Sequence, residues 1–107
     1  MNEKKKDAAA ENEYILHFAK PYHFEDETFT EVDLSEIENI KAQDMISVQK
    51  IINRSGDVSA LPEMSIQYAC YIASRITDKP VEFFTGLPAR EAIKLKNIVT
   101  GFIFGAD

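Results

Sequence analysis

The stretch Ser65-Ile66-Gln67-Tyr68-Ala69-Cys70-Tyr71-Ile72-Ala73-Ser74-Arg75-Ile76-Thr77 carries apolar side chains around most of a helical circumference. Only Gln67, Ser74 and Arg75 offer a polar strip. A helix that is apolar nearly all round is buried on several sides. This segment is therefore expected at the centre of the fold, with Ser65 as its N-cap. Its small residues Ala69 and Ala73 would let neighbours approach closely.

Downstream, Pro80 can start a short helical turn through Val81-Glu82-Phe83-Phe84, which Gly86 ends. Pro88 suits the first position of a last helix running to about Phe104, because its missing N–H has no helical acceptor there. Ala92, Leu95, Val99 and Phe102 form the expected buried stripe, widened by Ile98 and Ile103. Arg90, Lys94, Asn97 and Gly101 lie opposite. At about 100° per residue, Ile93 and Phe104 fall on the polar side, where large apolar residues are out of place.

Upstream, Asp57–Met64 reads as a loop, and Gly56 is placed to end a preceding helix from about Ala42 to Asn53. Met45, Val48 and Ile52 make that helix's stripe, broadened by Ile51. Asp33 or Ser35 could cap a short turn at Glu36–Asn39. Earlier still, Tyr14, Leu16 and Phe18 alternate with less apolar neighbours as in a strand. A second extended run, Thr28 to Leu34, places Thr30, Val32 and Leu34 on one side. Glu25-Asp26-Glu27 would join the two as a hairpin, with a bulge near Pro21, which cannot donate to a ladder. Residues 1–13 read as a flexible charged leader and residues 14–107 as a single domain. The expected class is α+β, helix-dominant: an N-terminal β-hairpin, three main α-helices and one short helical turn.

Composition narrows the function. The 107 residues hold 18 acidic and 12 basic side chains, for a formal charge of −6. Phosphate contacts need clustered Lys and Arg, so nucleic acid is a poor fit. No apolar run approaches the ~20 residues of a membrane span, and the leader lacks the apolar region of a secretory signal. A lone cysteine and no signal point to a reducing cytoplasm.

The chemistry of catalysis is hard to assemble. His17 and His23 are the only histidines, and their spacing does not match a metal pair. Cys70 sits in the most apolar helix, where a thiol is usually a small hydrophobe. The acidic residues Glu25, Asp26, Glu27, Glu31, Asp33, Glu36 and Glu38 lack the central Gly of a calcium loop, with Thr30 in its place. They read as a solvated face or a docking surface for a basic partner. The 4 glycines form no phosphate loop. The expectation is a binding protein with no catalytic residues, cofactor or metal.

A more specific signal lies in the order of the segments. Thr30-Glu31-Val32-Asp33-Leu34 comes first, then Pro62-Glu63-Met64-Ser65 before the central helix. Pro80-Val81-Glu82-Phe83-Phe84, Leu87-Pro88-Ala89-Arg90-Glu91-Ala92, Lys94-Leu95-Lys96-Asn97-Ile98-Val99 and Phe102-Ile103-Phe104-Gly105 follow. This succession, from Tyr14 to Gly105, resembles the small tail assembly chaperones of long-tailed bacteriophages. One departure is Lys41, where a hydroxyl or carboxylate cap is expected before the first long helix.

The resemblance implies a non-enzymatic role in the bacterial host cytoplasm. Such chaperones bind the tape-measure protein, a long helical and aggregation-prone chain, and keep it soluble until tail-tube subunits polymerise around it. Contact with the tube protein and self-association are further expectations. An amphipathic helical partner would lie in a groove between helices. Phe83, Phe84, Ile93, Ile103 and Phe104 are the residues expected to line it. The competing readings are a small helix-turn-helix DNA-binding regulator and a structural tail subunit.

Overall fold

The structure is a computed structural model that describes residues 13–54 and 65–105. The leader up to residue 12, Gly56, the 57–64 loop and the Pro62-Glu63-Met64 segment lie outside the described residues. Strands β1 (Ile15–Phe24) and β2 (Glu27–Asp33) form an antiparallel hairpin. A 3-10 turn (Ser35–Asn39) leads to helices α1 (Ala42–Arg54), α2 (Ile66–Thr77), the short α3 (Val81–Thr85) and α4 (Ala89–Ile103). The fold is α+β and helix-dominant, as expected, and α2 is the element against which α1, α3 and α4 all pack.

Helix α2 is central because of its pattern. Tyr68, Ala69, Cys70, Ile72 and Ala73 are all buried. The Ser65 hydroxyl accepts the Tyr68 N–H at 2.9 Å, satisfying one of the donors left open at a helix start. Asp78 closes the helix in the left-handed region (φ 63°), and its N–H donates to the Ser74 carbonyl. Ile66, in the first turn, lies outside the core and is exposed.

The hairpin is bulged where Pro21 suggested. Between the pairs His17↔Glu31 and Tyr22↔Phe29, β1 has four residues (Phe18 to Pro21) and β2 has one, Thr30. That mismatch changes which β2 side chains face inward. Val32 and Leu34 are buried, but Thr30 is exposed and Phe29 packs on the core in its place. The expected alternation on β2 is corrected at this point, since each strand's inward set depends on its partner's register. The turn itself is Glu25-Asp26, with Glu25 at φ 55° where glycine is usual.

The helix entries also differ from expectation. Asp33 Oδ1 accepts the Ser35 N–H at 2.9 Å, while Ser35 makes no cap. The Ser35 side chain, and after it this backbone bond, hold the Asp33 carboxyl below its ordinary value. At α1, the Lys41 carbonyl accepts the Asp44 and Met45 N–H groups, so Lys41 stands at the cap position. Asp44 compensates by reaching back to the Lys41 N–H with Oδ2 at 2.8 Å, which is the return half of a capping box. Its Oδ1 accepts the Arg75 Nε–H at 2.7 Å, tying the start of α1 to the end of α2. Arg75 and then Lys41 lower the Asp44 pKa. Val48 and Ile52 are buried and Met45 is half-buried, but Ile51 is exposed and does not broaden the stripe.

Five residues of α3 could not hold a helix alone. An aromatic corner holds it. Phe83 meets Tyr22, Phe24, Phe29 and Phe84 edge-on, with ring centroids 5.1, 5.2, 4.9 and 4.9 Å away. Edge-to-face pairs contribute about 0.5–1.5 kcal/mol each beyond area burial. Lys79 Nζ sits 4.6 Å above the Phe29 ring. The Tyr22 hydroxyl donates to the Phe83 carbonyl at 2.8 Å. A Cβ on Gly86 would come within 2.9 Å of that hydroxyl, so the close approach itself requires glycine.

Candidate functional site

The residues singled out for partner contact divide into three groups. Phe83 and Phe84 are 1% and 0% exposed, so neither lines a groove. This corrects the expectation for both: the aromatic corner consumes their surface. Ile103 is half-buried and packs against the core. Ile93 and Phe104 stand at the surface, 47% and 54% exposed.

Helix α4 has two unlike faces. Its start is marked by Pro88, which sits at the cap, one place before the expected first helical position; its carbonyl accepts the Ala92 N–H. On the inner face, Leu95 and Val99 are buried, and Ala92, Ile98 and Phe102 pack beside them. Glu91 is also inside, only 5% exposed.

Glu91 is held by the hairpin. Its Oε2 accepts the Ala19 N–H at 2.9 Å, and its Oε1 pairs with Lys94 Nζ at 2.9 Å. Lys94 Nζ also donates to the His17 carbonyl at 2.7 Å. The backbone groups of His17 and Ala19 thus face away from β2 and are taken by two α4 side chains. Burial alone pushes the Glu91 carboxyl up, but the Ala19 N–H and Lys94 outweigh it, and the net shift is downward. Sequence reasoning placed Lys94 on the outer face and gave Glu91 no role. The available signal was the spacing of three between them, which puts the pair within reach on a helix.

On the outer face, Ile93, Asn97, Thr100 and Phe104 follow one another at spacings of four, three and four residues. That rhythm keeps them on one strip of a helix. Asn97, like Ile93 and Phe104, is exposed, while Thr100 is half-buried. Arg90 and Lys96 stand three residues to either side of Ile93, and neither has an ion pair among the described residues. Beside the strip runs an open cleft of about 620 Å³, lined by Glu13, Tyr14, Asn97, Ile98, Gly101, Phe102 and Gly105. The Tyr14 and Phe102 rings meet edge-on at 6.0 Å along it.

Elsewhere the reactive groups are buried or dispersed. Burial pushes the Cys70 thiol up to about 11. Among the described residues no group of three or more His, Cys, Asp or Glu could hold a metal ion. No helix among them is long and apolar enough to cross a membrane. Comparison with protein-family models, with curated proteins and with solved structures finds no match to this chain.

Proposed function

We propose that this protein is a tail assembly chaperone of a long-tailed phage or prophage, acting by binding rather than catalysis. Its partner is the tape-measure protein, held soluble in the bacterial cytoplasm until the tail tube grows around it. The observation that carries the reading is the ordered succession of motifs between Tyr14 and Gly105. The α4 surface supports it: Ile93 and Phe104 are large, apolar and exposed, as a contact site for an apolar helix face requires.

Co-expression with a tape-measure fragment tests the proposal. The chain should raise the fragment's soluble yield. Ile93→Glu and Phe104→Glu should each reduce that yield while the chaperone stays folded by circular dichroism. If both variants protect as well as the parent, α4 is not the contact surface. If the parent gives no protection, the chaperone reading fails. A structural subunit would be found in mature tails, where a chaperone is scarce. A DNA-binding regulator would bind duplex at low salt and lose it steeply as salt rises.

A further inference from the structure

We infer that the outer strip of α4 takes an amphipathic helix whose apolar stripe is flanked by Glu or Asp. This deepens the chaperone proposal and rests on it for the identity of the partner, but not for the chemistry of the surface.

The spacing of Ile93, Asn97, Thr100 and Phe104 alternates four and three, the rhythm by which one helix seats the side chains of another. Ile93 and Phe104 are the apolar ends of this seam, ~16 Å apart along the axis at 1.5 Å per residue. Asn97 between them is the kind of polar seam residue that fixes a partner's register.

The flanks choose the partner's charge. Arg90 and Lys96 bracket Ile93 on both sides and are unpaired among the described residues, in a chain of net charge −6. Glu91, the only acid on α4, is turned inward and engaged with the hairpin. A second copy docking α4 against α4 in parallel would bring Arg90 and Lys96 against their own kind, so parallel self-pairing on this strip is disfavoured.

Gly101 adds an independent observation. A glycine inside a helix destabilises it by about 1 kcal/mol relative to alanine. Nothing among the described residues requires it: Gly101 is not at positive φ, and an added Cβ would meet no described atom within 4 Å. It lies beside the seam and lines the cleft. A position kept bare with open space above it suits the close approach of another backbone.

The test uses the full chain and two labelled three-heptad helical peptides, kept at concentrations where they are monomeric. Both carry Leu at the inner positions; one carries Glu at the flanking positions and the other Lys. The Glu-flanked peptide should bind at least about tenfold more tightly, the sum of a few exposed charge pairs changing sign. The preference should shrink with salt. Arg90→Glu combined with Lys96→Glu should reverse it, and Gly101→Leu should weaken the Glu-flanked peptide without lowering helicity. Equal binding of both peptides, no binding of either, or a preference that survives the double reversal would each overturn the inference. Self-association of the chain that Ile93→Glu abolishes would also overturn it, in favour of a second copy. Protection of a tape-measure fragment with neither peptide bound would leave the chaperone reading standing on another surface. Binding of the Glu-flanked peptide without protection would leave the seam standing and remove the chaperone reading.

Discussion

The aromatic corner around Phe83 and the outer strip of α4 use the same kinds of residue to opposite ends. At the corner, rings from β1, β2 and α3 close on one another until Phe83 and Phe84 have no surface left. On α4, Ile93 and Phe104 have comparable hydrophobic bulk and no such neighbours among the described residues. The difference is one of supply. The hairpin's far end brings Tyr22, Phe24 and Phe29 over α3, whereas among the described residues no element covers Ile93 and Phe104 on the outer face of α4. An apolar residue is structural where the fold brings it partners and available where it does not.

The largest expected effect is at the corner. Phe83→Ala should lower stability by about 3–5 kcal/mol, as for a large buried aromatic truncated to a methyl, read as a fall in the urea midpoint. A loss under about 1 kcal/mol would mean the corner is loosely packed and the contrast with α4 overstated. Gly86→Ala comes next, at about 1–3 kcal/mol, because its Cβ would collide with the Tyr22 hydroxyl. Combining it with Tyr22→Phe, which removes that oxygen, should recover part of the loss. Strict additivity in this cycle would show that the two do not touch.

Between the two regions lies Glu91. Its folded-state pKa is below the ordinary carboxylate value, so its contribution is fully present above about pH 4.3 and is lost as pH falls through the lower folded value. Asp33 and Asp44 shift in the same direction and add to the slope. Glu91→Gln should lower stability near neutral pH by about 1–2 kcal/mol and flatten the acid limb of a stability-against-pH curve. An unchanged acid limb would assign the whole slope to the two aspartates.

On the outer strip the effects on stability are smallest. Ile93→Ser and Phe104→Ser should each change it by less than about 0.5 kcal/mol, and Gly101→Ala should raise it by about 0.5–1 kcal/mol. Thermal denaturation reads all three. A clear loss of stability from either serine variant would place that residue with the core rather than with a partner.

Much of this architecture was legible from local pattern. The all-round apolar run at 65–77, the proline-marked start of α4 and the bulge at Pro21 each follow from side-chain periodicity or a missing donor. Ile93 and Phe104 were legible as misfits on a polar face. Pairing across distance was not. Thr30 and Phe29 exchange places because of a register set by the other strand. Glu91 turns inward because an N–H at Ala19, 72 residues earlier, needs an acceptor. The burial of Phe83 depends on rings from the hairpin folded over α3, which local pattern does not show. Lys41 looked like a missing cap because the compensating carboxylate, Asp44, sits inside the helix.

The grip of Glu91 and Lys94 on β1 bears on solubility. A two-stranded sheet has two open edges, and an open edge is a template on which extended chains stack into aggregates. Along β1 the exposed backbone groups at His17 and Ala19 are already occupied by side chains of α4. Along β2, the exposed Glu27, Glu31 and Asp33 place like charges where an incoming strand would have to settle. Both margins of the hairpin thus carry features that discourage the addition of a further strand.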